Sequence, residues 1–352
     1  MSTVDVVVPC YNYGHYLERC VASILSQRDV DVRVLVIDDA SQDNTSEIAA
    51  KIALRDGRVR LLRNEKNQGL VKTANAGVID WASSEYTALI SADDALAPGA
   101  LARATLVMNN HPEAGMTYGM ALVVADDVGM TDIEDVRNPN YRVLSGVEFL
   151  KRTCEHGCSL ASPTALVRTK IQKLVGGYNP EFPHSCDLEM WMRIATRSSI
   201  AVLDTTQAYY RWHALNMSKS YIYRATSDLR EQLATAKEVS TNWGSSIPEF
   251  AKWISAMECR FADQACWMAG LAVERGDLAA RMDCLTFARE NNSSLWKSAS
   301  WWRYQVKRII GKSITRKIRS ILRPSQSNYE ITLAMFAPFK HGEKFGWWPE
   351  PH

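Results

Sequence analysis

Nowhere in the 352 residues do about 18 apolar residues follow one another without a charge, the length that a membrane-spanning helix needs. Any contact with a membrane would therefore be made at its surface. The start lacks a basic lead, a long apolar core and a small-residue cleavage site, because Met1-Ser2-Thr3 runs straight into Val4-Asp5-Val6-Val7-Val8-Pro9. No export signal is expected there, and a cytoplasmic location is expected. The eight cysteines, at 10, 20, 154, 158, 186, 259, 266 and 284, show no disulfide framework and are read as reduced, mostly buried thiols. Cys154-Glu155-His156-Gly157-Cys158 lacks the four closely spaced ligands of a closed zinc site. A charge excess is lacking too: 41 Lys and Arg meet 39 Asp and Glu, net +2, which excludes wholesale binding to nucleic acid. With 46% hydrophobic and 23% charged residues, the composition is that of a folded globular protein.

What is present, in the first half, is one repeated phrase: a short β-branched run followed by a longer amphipathic stretch. Strands are expected at 4–9, 32–38, 59–63 and 86–91, and helices at 15–27, 43–55, 69–82 and 98–110, with Pro98 near the first turn of the last. This is the pattern of an α/β Rossmann-like fold with a mostly parallel sheet. Such sheets bind ligands beyond the carboxyl ends of their strands, so the residues there matter most.

Those strand ends are polar. Pro9-Cys10-Tyr11-Asn12 follows the first strand, Asp38-Asp39-Ala40-Ser41-Gln42-Asp43-Asn44-Thr45 the second, and Ser91-Ala92-Asp93-Asp94 the fourth. Asp43-Asn44-Thr45 reads as a turn and helix start. The two Asp-Asp pairs do not reduce to that reading, since adjacent carboxylates repel unless a cation or ligand donors offset their charge.

From 115 to 212 the pattern becomes irregular: a strand at 115–124, an acidic loop through Asp126, Asp127, Asp132, Glu134 and Asp135, and a strand at 163–168. The turn cluster Gly176-Gly177-Tyr178-Asn179-Pro180 leads to a helix that opens at Asp187, and strands at 200–203 and 206–212 end at His213.

The Val-rich strand ending Pro9-Cys10-Tyr11-Asn12, the turn Val36-Ile37-Asp38-Asp39-Ala40-Ser41, Asn67-Gln68-Gly69 at a helix start and Ser91-Ala92-Asp93-Asp94 resemble, in order and spacing, the family-2 glycosyltransferases of the GT-A fold. The resemblance spans about residues 3–220. It implies inverting transfer of a sugar from a nucleotide donor, with a UDP-sugar favoured, to a saccharide or lipid-linked acceptor.

By that resemblance Pro9, Tyr11 and Asp39 hold the nucleobase, where a ring stacks and a carboxylate accepts an N–H. Lys72 meets ribose or phosphate, the alternative being a solvated helix lysine. Asp93 meets the ribose, and Asp94 a divalent cation, Mg²⁺ or Mn²⁺, that offsets the charge of the leaving diphosphate. His213 completes the metal or diphosphate contacts, the alternative being a structural histidine. Anchored on Trp191 and Arg193, the phrase Cys186-Asp187-Leu188-Glu189 puts Asp187 at the position of the base, with Cys186 where the family usually has Glu. Glu189 is read as structural or as a second candidate. Gln207-Ala208-Tyr209-Tyr210-Arg211-Trp212 resembles the Gln-x-x-Arg-Trp signature of processive synthases, but is one residue too long. One addition per acceptor is therefore expected.

Residues 1–222 are assigned to the transferase domain and 223–298 to a C-terminal helical extension. Residues 299–324 form a basic amphipathic segment and 325–352 an irregular tail. The segment 301–323 alternates cations with isoleucines, carries no acid and has Trp and Tyr at one end, and reads as an interfacial membrane helix, the alternative being a solvated helix with a buried stripe; the resemblance implies that the membrane face would be the inner one. A nucleotidyltransferase would need a Gly-rich basic loop after the first strand, which Cys10-Tyr11-Asn12-Tyr13-Gly14 is not. A catalytically silent membrane adaptor on the same scaffold would be free to lose Asp39, Asp94 and Asp187, all of which are present.

Overall fold

A computed structural model describes residues 1–125, 133–158, 160–213, 215–216, 226–322 and 341–346. The expected loop acids Asp126, Asp127 and Asp132 and most of the tail lie outside the described residues. The chain divides into two compact units: Met1–Arg152 with Cys158–His213 and Phe339–His352, and Thr153–Gly157 with Ala214–Pro338.

The first unit is built on strands β1 (Ser2–Cys10), β2 (Val30–Asp38), β3 (Val59–Arg63), β4 (Tyr86–Leu89), β5 (Ala95–Leu96), β6 (Ala114–Ala125), β7 (Tyr141–Leu144), β8 (Leu166–Arg168), β9 (Ser199–Trp212) and β10 (Lys344–Phe345). Along the sheet the order is β3-β2-β1-β4-β8-β6-β9-β5, with β7 on β9 and β10 on β6. β1, β2, β3 and β4 run parallel, in a register that sets Cys10 beside Asp38. Beyond β4 the sheet is mixed, because β8 is antiparallel to both β4 and β6.

β1 lies between β2 and β4 and is buried from Val4 to Cys10, which explains its continuous rather than alternating apolar run. Helix α1 (Gly14–Leu25) turns Leu17, Cys20, Val21 and Ile24 inward, a stripe at helical spacing. Gly14 has no room for a side chain, since a Cβ would come within 2.7 Å of Asn44 Oδ1 and 2.9 Å of Thr45 N. That crowding joins α1 to α2 (Thr45–Arg55). Asp43 completes the join, accepting from Thr45 N–H at 3.0 Å and from Gly14 N–H at 3.2 Å. Asn44 holds the N-cap position without a side-chain capping bond, and Asp43 serves the turn before it.

Several expectations are corrected. The helix of 69–82 is α3 (Leu70–Asn75) followed by a wider π turn, Ala76–Trp81, where Gly77 lies against Val7 too closely to admit a Cβ. Pro98 precedes rather than enters α4 (Ala100–Asn110), whose flanking residue Gly99 is left-handed. The strand of 163–168 begins as a 3₁₀ turn over Ser162–Thr164, where Pro163 withholds the N–H a ladder needs, and only Leu166–Arg168 pair. The strands of 200–203 and 206–212 are one strand, β9. Within the tail read as irregular, Lys344 and Phe345 pair with Leu122 and Ala121 of β6.

Asp5 was given no role by its sequence context. It is fully buried in β1 and accepts from Arg33 Nε and Nη2 at 2.8 and 2.7 Å, from the N–H groups of Ser83 and Ser84 at 2.6 and 2.8 Å, and from Ser84 Oγ at 2.8 Å. Burial alone would raise its pKa, but Arg33 and the serine donors together hold it below the usual carboxylate range. Its stabilising contribution is therefore present above the unfolded-state pKa and is lost as pH falls through the lower folded-state value. Asp5→Asn is expected to cost about 3 kcal/mol at neutral pH. Chemical denaturation of both proteins, repeated in acid, should show the difference shrinking as Asp5 of the wild type protonates.

The second unit is helical: α5 (Gly146–His156), whose last residues belong to it, then α8 (Ser227–Asn242), α9 (Phe250–Arg275), α10 (Leu278–Asn291) and α11 (Ala299–Leu322), the labels α6 and α7 being kept for Thr169–Val175 and Cys186–Ala195 of the first unit. Trp253, Met257, Phe261, Ala265 and Cys266 of α9 are buried. Gly276, at φ 76°, ends α9, and Asp277 opens α10 by accepting from Ala280 N–H at 2.9 Å. Leu278 and Met282 of α10 are exposed. Among the described residues no helix is long and apolar enough to cross a membrane.

Candidate functional site

Because β1, β2 and β4 are parallel, their carboxyl ends share one edge of the sheet, and the residues singled out after each strand lie along it. The first two turns are stitched together. Asn12 N–H donates to Ser41 Oγ at 3.0 Å, and Gln42 N–H to Asn12 Oδ1 at 2.8 Å. Asn12 and Ala40 both take left-handed backbone there, with φ 58° and 60°. Pro9 is buried at the end of β1, and Tyr11, 43% exposed, leaves a ring face open to stacking.

The two acid pairs are used differently. Asp38 Oδ1 accepts from Ser41 N–H at 2.9 Å and so closes its own turn. Asp39 is buried and holds the start of α3: Oδ1 accepts from Asn64 Nδ2 at 2.7 Å and Gln68 N–H at 2.9 Å, and Oδ2 from Gly69 N–H at 2.9 Å. Those three donors leave a lone pair of the carboxylate for a ligand N–H. Lys72, one turn further along α3, is exposed.

Asp93 and Asp94 are both buried at the end of β4. Asp94 Oδ1 accepts from Arg211 N–H at 2.9 Å, and the Asp93 carbonyl accepts from Arg211 Nε at 3.1 Å. Burial, and then the neighbouring Asp93 carboxylate, push Asp94 well above the usual carboxylate range, while Arg211 pulls it down. His213 is directed at Asp93 rather than Asp94, with Nε2 2.9 Å from Asp93 Oδ2. The rings of Tyr13 and Tyr16 lie 5.4 Å from that of His213, and the Arg211 guanidinium sits 4.9 Å from the Tyr16 ring centre. Arg211 entered from the sequence only as part of the near-match to Gln-x-x-Arg-Trp, and Tyr13 and Tyr16 were given no role. Their signal, had it been read, is the i, i+3 pair of tyrosines straight after the first strand end.

The acid pair fits a hard divalent cation. Asp93 Oδ1 is buried without a hydrogen-bond partner, and the repulsion that raises Asp94 is what a cation beside both would relieve. No group of three or more His, Cys, Asp or Glu side chains among the described residues is arranged to hold a metal. Two carboxylates with phosphate and water oxygens are nonetheless a usual set for Mg²⁺.

Asp187 sits in the first turn of α7, half-buried, with Oδ2 accepting from Ser162 Oγ at 2.6 Å and Oδ1 from Leu188 N–H at 2.7 Å. Burial raises its carboxyl above the usual range against the opposing pulls of Ser162, Leu188 N–H and His184. Burial likewise pushes the Cys186 thiol up, so the residue that stands in the usual Glu position is a neutral thiol. Glu189 points elsewhere: with Arg193 it forms a buried pair at 2.6 Å, and Arg193 in turn donates to the carbonyls of Val175 and Gly177. That pair fixes the turn leading to α7. From the other side Asn75 of α3 clasps the backbone of Tyr178, donating to its carbonyl at 2.9 Å and accepting from its N–H at 2.7 Å.

Residues 5–161 match the model of the family Glycosyl transferase family 2. An uncharacterised protein of Mycobacterium tuberculosis is 31% identical over 209 residues, 56% of this chain and 63% of that protein, so the chain covers less than two thirds of that relative. Among solved structures, a mannosyltransferase of Pyrobaculum calidifontis in complex with GDP-Man and Mn²⁺ aligns over 95% of this chain and 84% of its own, with TM-score 0.57 and 17% identity. S. aureus TarS 1–349 in complex with UDP-GlcNAc aligns over 84% of this chain and 92% of its own, with TM-score 0.55 and 18% identity. At such identities the structures show the fold, which is GT-A.

Proposed function

We propose, from the premise that this chain carries a family-2 glycosyltransferase domain, that it transfers one sugar from a nucleotide donor to an acceptor hydroxyl by a single inverting displacement. The observation that carries this reading is the buried Asp93–Asp94 pair at the end of β4, one of whose oxygens has no hydrogen-bond partner. Such a pair is costly unless a charged ligand completes it.

In this reading Tyr11 stacks on the base, Asp39 accepts from it, and Lys72 faces the ribose or phosphate oxygens. Asp93, steadied by His213, meets the ribose. Asp94 and Asp93 would hold Mg²⁺ or Mn²⁺, which when bound offsets the charge of the diphosphate. Asp187 accepts the proton of the acceptor hydroxyl. The acceptor oxygen then bonds to the anomeric carbon, and the bond from that carbon to the diphosphate breaks with its electron pair on the diphosphate. A carboxyl whose pKa burial has raised is the stronger base for that task.

UDP is the carrier we favour, as in the TarS complex; the mannosyltransferase, with GDP-Man, is the counterexample that the experiment must address. The acceptor is a saccharide or a lipid-linked saccharide, met at the cytoplasmic face of a membrane that residues 301–323 contact. Titration calorimetry with UDP, GDP and dTDP, with and without Mn²⁺, tests the donor site. One nucleotide should bind in a metal-dependent way, and Asp94→Ala should weaken it by about a hundredfold or more. Absence of binding to all three would overturn the reading and leave the scaffold as an adaptor.

A further inference from the structure

Helix α11 turns an apolar row outward. Over its first three turns its inward side is mixed: Ser300 donates to Asp263 at 2.9 Å, Tyr304 is buried, Trp301 and Ile310 are half-buried, and Lys307 pairs with the buried Glu274 at 2.7 Å. Trp302, Val306 and Ile309, spaced i, i+4 and i+7, share the opposite face and are 58%, 55% and 76% exposed. A surface helix of a soluble protein normally turns such an apolar row inward. Trp296, just before the helix, is exposed as well, with Lys297 Nζ 5.3 Å from its ring centre. Gly311, at φ 76° and ψ 171°, breaks the helix after this row, and Ile314 beyond the break is exposed as well.

The charge around this row has one sign. No acid occurs between Glu290 and Glu330, while Arg303, Arg308, Lys312 and Lys317 are exposed. An apolar row rimmed by cations and flanked by tryptophans is complementary to a surface of hydrocarbon beneath anionic headgroups. We propose that the outward face of Ala299–Ile310 lies in the plane of an anionic lipid bilayer, with Trp302, Val306 and Ile309 inserted among the acyl chains and the cations at headgroup level. This deepens the membrane contact given above and does not depend on sugar transfer.

Co-sedimentation of the full chain with vesicles tests it. Wild type should bind vesicles containing phosphatidylglycerol about tenfold more tightly than vesicles of phosphatidylcholine alone. The triple variant Trp302→Ser, Val306→Ser, Ile309→Ser keeps every cation and should lose about tenfold or more of that binding. All three side chains are more than half exposed, and Trp302 gives up one exposed hydrogen bond, to the Trp296 carbonyl, so its thermal unfolding should change by little and its nucleotide titration should match wild type, which separates this proposal from the donor-site reading. Equal binding of variant and wild type would overturn the insertion. So would absence of vesicle binding, whether accompanied by a dimer that the triple variant dissolves, assigning the face to a second copy, or by a monomer, assigning it to the chain's own covering.

Discussion

Asp187→Asn is expected to lower turnover by about a thousandfold while leaving nucleotide affinity unchanged. The amide keeps the size of the side chain and one acceptor for Ser162 or Leu188 N–H, but it cannot take the acceptor's proton. Wild-type activity should fall on acidification with a midpoint above the usual carboxylate range, because burial raises the Asp187 pKa and the protonated form is inactive as a base. Stability should move the opposite way. A group whose folded-state pKa is raised contributes stability below its unfolded pKa and loses it as pH rises through the folded value. At neutral pH the variant should therefore be the more stable protein, with the gain vanishing in acid. Steady-state kinetics across pH, with chemical denaturation of the same two proteins, check both. Unchanged turnover would remove Asp187 from the reaction.

Glu189→Ala is expected to cost about 3–5 kcal/mol of stability, read from the shift in the denaturation curve. The cause is the guanidinium it leaves behind: Arg193 is buried and its partner at 2.6 Å would be gone. Because Arg193 also carries the carbonyls of Val175 and Gly177, the damage should extend to the turn before α7 and to the placement of Asp187. Glu189→Gln, which retains an acceptor, should lose less stability. It should also keep most turnover, which a second catalytic base would not.

The parallel half of the sheet was legible because each of its strands is a local event: Val4–Val8 and Val34–Ile37 are β-branched or apolar runs ended by polar turns, and each is followed by a stripe such as Leu17, Val21, Ile24. Two-residue β5 and antiparallel β7 and β8 were not, or not fully, because their pairing partners lie tens of residues away in β9, β4 and β6. The same division runs through the site. The strand-end acids could be named from the sequence, but not their allegiances. His213 engages Asp93 and Asp39 binds the start of α3, each decided by which backbone arrives opposite, whereas Glu189 and Arg193 pair locally at i, i+4 on α7. Asp5 was illegible for a different reason: a lone acid in a valine run gives no sign of the five donors that the fold brings to it.

The short strand at Lys344–Phe345 bears on the order of events during synthesis. One flank of β6 is covered along its length by β9, but the other is met by β8 only at Met116 and Thr117. Further along, Val123 N–H waits for the carbonyl of Glu343, the Val123 carbonyl for Gly342 N–H, and Ala125 N–H for His341 Nδ1. A nascent chain that has reached residue 322 has already emitted every other described strand, yet it holds this stretch of backbone open. Throughout the translation of the helical unit that stretch is a template for any extended segment nearby, and it is retired only once residues 341–345 have emerged to pair with it.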